Sequence, residues 1–231
     1  MTELRTRFKG APWFKQTDEV GAFITIVGVG GIGSRVVLLL HSLGKKIQTE
    51  LYDAEYIGEE NIVSQFFDTQ SVGRPKVTQV RNIVDQFVGP HSLIIPHILR
   101  FEEGYYAAPI TIAAVDNMKA RQDIFSSWVN SHKTSKNALF LDGRMNAEQY
   151  QVFAVTPDRI EEYKKTLFSD EEIPDEPCTY KNTGHFGWLI AVRLTQMVTA
   201  FLANKETGDE IYVLPFKVSE VGPVFNINIE L

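Results

Sequence analysis

Three glycines with a fixed spacing are the first residues in the sequence whose types could do chemistry. Gly28, Gly30 and Gly33 form a G-x-G-x-x-G pattern between a short apolar run and a helix-forming segment. Glycine lets the backbone turn sharply and approach a phosphate at a helix N-terminus, where unpaired amide groups attract an anion. The pattern predicts a nucleotide site, and by itself it is compatible with both ATP and a dinucleotide.

Two further groups could take part in the chemistry of such a site. Asp53 ends the next strand-like run, and its carboxylate could accept hydrogen bonds from a ribose. Cys178 is the single cysteine, and its polar setting before an apolar helix favours an exposed nucleophile, with a structural thiol as the alternative. Because one cysteine and scattered histidines cannot form a cysteine-rich metal site, we expect no structural zinc.

The sequence around the glycines predicts the elements that position these groups. Residues 23–29 are apolar and β-branched and predict a strand, and residues 34–43 predict a helix. Residues 46–52 predict the second strand, and Pro75 suits the first turn of a helix with apolar residues at helical spacing. This alternation is typical of an α/β fold with a Rossmann-like, mainly parallel sheet flanked by helices.

The rest of the chain continues the alternation. Further strands are predicted over 92–98, 110–115, 138–141 and 151–156. Helices are predicted over 118–129 and, as a strongly apolar buried element, over 187–202. The alternating pattern of 225–229 predicts a closing antiparallel strand at the C-terminal end of the sheet.

One domain accounts for residues 1–231, because no linker, repeat or low-complexity tract interrupts the pattern. Residues 1–20 are polar and predict an N-terminal arm. Residues 157–182, which carry Cys178, are acidic and weakly periodic and predict a mobile loop with a helical piece.

Composition restricts the class of protein. With 44% hydrophobic and 23% charged residues, the chain is typical of a globular protein, and a net charge of -6 argues against a nucleic-acid binder. We find neither a signal core after the first basic residues nor an apolar run of the roughly 18 residues that a membrane span needs. We therefore expect a cytoplasmic protein with no nucleic-acid or membrane partner.

Taken together and in order, these motifs resemble the ThiF superfamily, which includes the activating enzymes of ubiquitin-like proteins and of thiamine and molybdopterin synthesis. The family pattern combines a G-x-G-G-x-G-S loop, D-x-D, N-x-x-R-Q, a G-x-x-K that opens a helix, and D-N-x-x-x-R. The matching segments are GVGGIGS at 28–34, DAE at 53–55, Asn61 with Gln65, VGRPKV at 72–77 and VDNMKAR at 115–121.

The resemblance implies an ATP site. The implied nucleotide-binding residues are Gly28, Gly30, Gly31, Gly33, Asp53, Glu55, Asn61, Gln65, Lys76 and Asn117. Asp53 would hold the ribose hydroxyls, with Glu55 in the position of the second aspartate of the family. Lys76 would offset phosphate charge during transfer, although it could also be an ordinary solvated helix residue.

The resemblance also implies a metal ligand and a catalytic set. Asp116 would bind Mg²⁺, a hard ion that takes carboxylate and phosphate oxygens together. The implied catalytic set is Asp116, Lys76, Cys178 and Arg7. Asparagine is also a favoured helix cap, so capping is the alternative role of Asn117, and a cap or turn is the alternative role of Asp116.

One position departs from the family. The arginine of N-x-x-R-Q is replaced by Ser64, which cannot supply charge to a triphosphate. Arg35, Arg74, Arg5 or Arg7 could substitute. Since an N-terminal arginine often reaches across a dimer in this family, the resemblance implies a homodimer in which Arg7 acts in trans.

The implied activity is ATP- and magnesium-dependent adenylation of the C-terminal carboxylate of a small ubiquitin-like or sulfur-carrier protein or peptide, with or without thioester transfer to Cys178. Two alternatives stay open. One is a catalytically weak nucleotide-binding protein of the same fold, which Ser64 favours. The other is an NAD-dependent oxidoreductase, which the glycine loop and Asp53 allow.

Overall fold

The computed structural model describes residues 21–44, 46–62, 64–90, 92–146, 149–169, 184–222 and 226–231. Within this part of the chain the strands are β1 (Ala22–Val27), β2 (Ile47–Tyr52), β3 (Leu93–His97), β4 (Ile110–Ala113), β5 (Leu139–Met145), β6 (Gln149–Val155), β7 (Lys217–Val221) and β8 (Asn226–Glu230). The helices are α1 (Gly33–His41), α2 (Lys76–Val88), α3 (Met118–His132), α4 (Ile160–Lys164) and α5 (Gly184–Thr207). Single 3₁₀ turns lie at Glu59–Asn61, Thr69–Ser71 and Pro157–Arg159.

The strands form one sheet in the order β3-β2-β1-β4-β5-β6-β7-β8. The first five in this order pair in parallel, and the pairs from β5 to β8 are antiparallel. The chain moves outward from β1 to β3 and then returns to the other side of β1 with β4. Such a reversal opens a crevice at the carboxyl ends of the two central strands, where open α/β sheets bind ligands. The predicted fold class is confirmed, including the antiparallel C-terminal strands.

The two faces of the sheet contribute their side chains to two separate hydrophobic cores. On one face, Ile24 and Ile26 of β1 belong to a cluster with apolar residues of α1, α2 and α5. On the other face, Val27 of β1 joins a cluster with aromatic and aliphatic residues of α3 and α4, among them Trp128 and Tyr163. The central strands are buried on both faces, as expected for a parallel sheet covered by helices.

Helix α5 is both long and strongly apolar. By length and composition it meets the requirement for a membrane span, so the expectation that no such run exists needs correction. In the structure, 61% of its 18-residue apolar stretch is buried. The helix packs on α1 and on β5 and β6, and this position in the core accounts for its apolar character.

Several elements differ from their predicted bounds. Strand β5 continues past Leu141 through Asp142 and Arg144, because these two charges pair with each other within the fold. Strand β7 was not predicted, since its sequence KVSEV is mostly polar. The first part of the predicted loop, residues 157–169, contains the 3₁₀ turn and α4, and this agrees with the expected helical piece.

Strand β8 lies at the edge of the sheet, and all five of its residues are exposed. Ile227 and Ile229 alternate with polar residues along it. The side chain of Lys217 on β7 forms a 3.0 Å ion pair with Glu230 on β8.

The end of α1 carries a buried histidine that makes folding sensitive to acid. The ring Nε2 of His41 lies 3.0 Å from the hydroxyl of Thr49 on β2. Burial lowers the pKa of His41 from 6.5 to about 4, although the charge of Asp85 opposes this shift. Between these two pH values the unfolded chain binds more protons than the folded one, so stability falls as the pH drops.

We expect the free energy of unfolding to fall by about 2 kcal/mol from pH 7 to pH 5 because of His41. His41→Gln keeps a neutral group that can bond Thr49 and does not titrate, so this variant should lose less stability over the same interval. Urea unfolding at the two pH values measures the difference. His185→Gln, the same change at an exposed position of α5, is the control and should behave like the wild type. An equal acid loss in His41→Gln and wild type would contradict the assignment.

Candidate functional site

The loop between β1 and α1 is folded so tightly that two of its glycines have no room for a side chain. Gly28 has a φ of +83°, and a Cβ on it would lie 2.5 Å from the carbonyl oxygen of Ala114. A Cβ on Gly33 would lie 1.9 Å from the carbonyl oxygen of Gly28. Helix α1 starts after Ile32 without a side-chain cap. Within the loop, the N–H groups of Ser34 and Arg35 donate to the carbonyls of Gly30 at 3.3 Å and of Ile32 at 3.1 Å. The positive end of the helix dipole lies at this loop, where it favours an anion.

Asp53 follows β2 and is bonded directly to this loop. Its Oδ2 accepts a 2.9 Å hydrogen bond from the backbone N–H of Val29, and its Oδ1 accepts a 2.8 Å bond from the N–H of Glu55. Burial raises the pKa of Asp53, while the two N–H groups and Lys76 oppose that shift. Each carboxylate oxygen can accept a second hydrogen bond, so the group is held in place and can still bind hydroxyls.

Lys76 is turned into the site rather than into solvent. Its side chain is only 3% exposed, and its Nζ lies 2.5 Å from the carboxylate of Glu55, which is 67% exposed. The backbone N–H of Lys76 also donates to the carbonyl of Glu55 at 3.0 Å, and this bond fixes the start of α2 beside Asp53. The alternative of a solvated helix lysine does not fit this burial.

The 3₁₀ turn after Glu55 brings Asn61 and Gln65 to the glycine loop. Asn61 is buried, and its Oδ1 accepts a 2.9 Å bond from the N–H of Gly58, which holds the turn closed. The carboxamide of Gln65 lies 3.5 Å from the position that a Cβ on Gly30 would occupy. The Oε1 of Gln65 is buried without a hydrogen-bond partner, as expected of a group that faces a ligand site.

Asp116 and Asn117 follow β4, the neighbour of β1. The Oδ1 of Asn117 accepts a 2.8 Å bond from the N–H of Ala120, so its alternative role as the cap of α3 is confirmed. Its Nδ2 donates to Asp116 at 3.2 Å, and Asp116 is exposed at the carboxyl edge of the sheet. Asn117 therefore both caps the helix and orients the adjacent carboxylate.

A buried ionic network behind Asp116 was not predicted as such. Asp142 is fully buried and accepts bonds from Arg121 Nε at 2.7 Å, Arg144 Nε at 2.5 Å and the hydroxyl of Tyr163 at 2.8 Å. Burial opposes ionisation of Asp142, but the two guanidinium groups outweigh it and hold its pKa below the ordinary value. Charged residues within the apolar run LFLDGRM are the sequence signal that could have identified this network.

The network supports the loop that carries Asp116. Arg121 donates from Nη2 to the carbonyl of Val115 at 2.8 Å, next to Asp116. Arg144 donates to the backbone and hydroxyl oxygens of Thr166, which follows α4. Asp142 thus connects the loop after β4 with the segment after α4.

The position of Ser64 lies beside another arginine. Arg35 of α1 is buried, and its Nη1 donates to the carbonyl oxygen of Gly31 while its Nη2 donates to the carbonyl oxygen of Ser64 at 3.4 Å. Its guanidinium carbon lies 5.2 Å from the ring centroid of Trp188. Arg74, by contrast, donates to Gln79 on α2, and Arg5 lies outside the described residues.

The structure brings most of the predicted site together. Gly28 to Gly33, Asp53, Glu55, Asn61, Gln65 and Lys76 share one contact network at the carboxyl ends of β1 and β2. Asp116 and Asn117 lie at the end of the adjacent strand. Arg7 and Cys178 lie outside the described residues, so their predicted roles stay predictions.

The described residues contain no group of three or more histidine, cysteine, aspartate or glutamate side chains that could hold a metal by themselves. Mg²⁺ is commonly held by one or two carboxylates together with phosphate oxygens and water. Asp116 is an exposed carboxylate at the end of the strand next to the glycine loop, and it fits that mode of binding.

A glycine loop at the reversal point of an α/β sheet, with an anchored carboxylate after the next strand, places the chain among the Rossmann-like α/β proteins, a class in which this arrangement commonly binds nucleotides. The chain belongs to the ThiF family, whose sequence model matches residues 15–209.

Solved structures share this fold. E. coli MccB with ATP aligns with a TM-score of 0.65 at 16% identity over 90% of this chain and 63% of that one. PaaA aligns with a TM-score of 0.61 at 16% identity over the same shares. The microcin C7 biosynthetic enzyme MccB with N-formylated MccA gives a TM-score of 0.64 at 14% identity, over 90% of this chain and 64% of that one.

The present chain therefore spans less than two thirds of the length of these structures. At such identities the likeness concerns the fold. No curated protein sequence matches this chain.

The contact between Gly33 and Gly28 can be tested by adding one methyl group. We expect Gly33→Ala to cost about 3 kcal/mol or more of unfolding free energy, because the new Cβ would overlap a backbone carbonyl that cannot rotate away. ATP binding should be lost with it. Gly184→Ala is the matched control, since none of the described residues lies within 4 Å of the Cβ that it adds. Urea unfolding and calorimetry measure both properties, and a Gly33→Ala variant with wild-type stability and affinity would contradict the observed loop.

Proposed function

We propose that this chain is an ATP- and Mg²⁺-dependent adenylating enzyme that activates the C-terminal carboxylate of a peptide or of a small ubiquitin-like or sulfur-carrier protein. The observation that carries the proposal is the convergence of the glycine loop, Asp53, Lys76 and Asp116 on one edge of the sheet. Membership of the ThiF family supports it. So does the fold shared with MccB, which has been solved with ATP and with AMPCPP together with MccA.

In the proposed reaction a carboxylate oxygen of the substrate attacks the α-phosphorus of ATP. The new bond joins this oxygen to phosphorus, the bond from phosphorus to the bridging oxygen breaks, and pyrophosphate leaves with the electron pair. Because the nucleophile is already ionised, the site needs no general base. The tasks left to the protein are alignment of the two reactants and stabilisation of phosphate charge.

The described residues divide these tasks. The glycine loop and the positive N-terminal end of α1 would hold phosphate oxygens, and Asp53 would accept bonds from the ribose hydroxyls. Lys76 would stabilise negative charge on the phosphates. The carboxylate of Glu55, which pairs with Lys76 in the structure, is largely exposed, so water can solvate it when Lys76 turns to a phosphate. Asp116, oriented by Asn117, would hold Mg²⁺, which when bound neutralises phosphate charge.

A catalytically weak nucleotide-binding protein is the second candidate. Ser64 favours it, because the arginine that the family places there is missing. Both candidates predict ATP binding, and only the first predicts exchange of pyrophosphate into ATP. An NAD-dependent oxidoreductase predicts nicotinamide binding instead.

Nucleotide binding tests the site without knowledge of the carboxylate substrate. We expect ATP to bind about tenfold more tightly with Mg²⁺ than with EDTA, and Asp116→Asn to remove this enhancement, because the amide is a poorer ligand for a hard cation. Asp123→Asn, which removes a carboxylate from α3 that pairs with Lys119, should keep the enhancement. Calorimetry with ATP and with NAD measures these affinities.

Binding of NAD without binding of ATP would contradict the proposed class of ligand. A full Mg²⁺ enhancement in Asp116→Asn would remove this residue from the metal site. With a candidate substrate, such as a small protein that ends in Gly-Gly and is encoded beside this chain, ATP-pyrophosphate exchange then separates an adenylating enzyme from a passive binder.

Thioester transfer to Cys178 is the finer part of the proposal. If the thiol carries the acyl group, Cys178→Ala should keep ATP-pyrophosphate exchange at the wild-type rate and stop formation of the final product, because exchange does not use the thiol. Wild-type product formation in this variant would show that the chain only adenylates. Product formation and exchange are measured on the same preparation, so that loss of folding is recognised by loss of both.

A further inference from the structure

Arg35 is a buried positive charge without an acidic partner among the described residues. The residue is 3% exposed, and its Nε is buried without a hydrogen bond. The two terminal nitrogens of the guanidinium donate to main-chain carbonyls, and its flat face lies against Trp188. Burial, which removes the guanidinium from water, lowers the pKa of Arg35. A buried charge of this kind is costly unless an anion compensates it.

The two carbonyls bonded by Arg35 identify where its charge acts. Gly31 lies in the phosphate loop, and Ser64 precedes Gln65 in the element that covers this loop. The position that a Cβ on Gly31 would occupy lies 3.6 Å from the carbonyl oxygen of Ser64 and 3.7 Å from Nη1 of Arg35. The guanidinium therefore sits between the loop and the position at which the family arginine is missing.

Two neighbours fix this arrangement. A Cβ on Gly187 of α5 would lie 2.8 Å from the carbonyl oxygen of Gly31 and 3.1 Å from Nη1 of Arg35, so a glycine is needed where α5 closes over the guanidinium. Gln65 carries another buried atom without a partner, its Oε1, against Gly30 on the same loop. Polar atoms left without partners beside one loop indicate a polar ligand there.

We propose that Arg35 supplies, from inside the fold, the positive charge that Ser64 does not provide, and that this charge attracts and positions the β- and γ-phosphates of ATP. The inference rests on the proposed function and extends it to a residue outside the family motif. By holding the carbonyls of Gly31 and Ser64, Arg35 also turns these negative dipole ends toward itself and away from the nucleotide. Arg35 is thus a positioning residue for the triphosphate.

The test compares nucleotides that differ only in the phosphates on which Arg35 should act. Calorimetry gives the Kd values of ATP, AMP and inorganic triphosphate for the wild type, Arg35→Gln, Arg35→Lys and the control Arg74→Gln. We expect Arg35→Gln to weaken ATP and triphosphate by about 10- to 100-fold, the loss typical of a charged hydrogen-bonding group, and AMP by less than about twofold. Arg35→Lys should keep most of the ratio of ATP to AMP affinity, and Arg74→Gln should match the wild type.

Equal weakening of ATP and AMP would overturn the proposal, because it would show that Arg35 only shapes the loop. Unchanged affinity for ATP, or no wild-type binding of ATP and triphosphate, would also overturn it. If Arg35→Gln does not fold, Arg35→Lys decides, since a folded lysine variant that loses the ATP-to-AMP ratio contradicts a role of charge.

These measurements involve no carboxylate substrate. A protein that binds ATP through Arg35 but exchanges no pyrophosphate when its carboxylate substrate is present would therefore disprove adenylation while leaving this inference intact.

Discussion

The contact between the Cα of Gly33 and the carbonyl of Gly28 is the constraint on which the rest of the site depends. It folds the loop back on itself, so that helix α1 starts directly above the end of β1. From there Val29 can donate to Asp53, and Arg35, in the first turn of the helix, can reach the carbonyl of Gly31. A wider loop would separate these groups by more than a hydrogen-bond length. The folded glycine loop, the anchored carboxylate of Asp53 and the buried guanidinium of Arg35 are therefore consequences of one close approach.

The other half of the site depends on a buried charge rather than on a close approach. Asp142 binds Arg121 and Arg144 at once, and these arginines hold the backbone next to Asp116 and after α4. Removing one member of such a group leaves an uncompensated charge in the core, which costs about 3–5 kcal/mol. Charge pairs thus hold the loop after β4 that carries Asp116. Close steric contact holds the glycine loop after β1.

Local sequence predicted the central elements well, because strand, glycine turn and helix follow one another within a few residues of Gly28. The parts that could not be predicted depend on pairings between distant residues. Lys76 and Glu55 meet only once the segment between them has folded. The sequence predicts an end of β5 at Leu141, because the next residue, Asp142, is charged and its partner Arg121 lies far away in the sequence, on α3. Arg35 was one of several candidates for the missing charge, since helical periodicity alone does not show that a guanidinium points inward. Arg7 and Cys178 lie where the structure gives no description.

Strand β8, unlike the glycine loop, is held by few specific contacts of its side chains. Because all its residues are exposed, neither face of the strand gains from burial, and burial cannot select one alignment of β8 along β7 over another. A slip of one residue would exchange Ile227 and Ile229 with their polar neighbours between the two faces at little cost. The ion pair of Lys217 with Glu230 opposes such a slip only weakly, since a partly exposed pair contributes little. Burial therefore contributes little to the alignment of the outermost strand, and the core beneath the glycine loop does not depend on that strand.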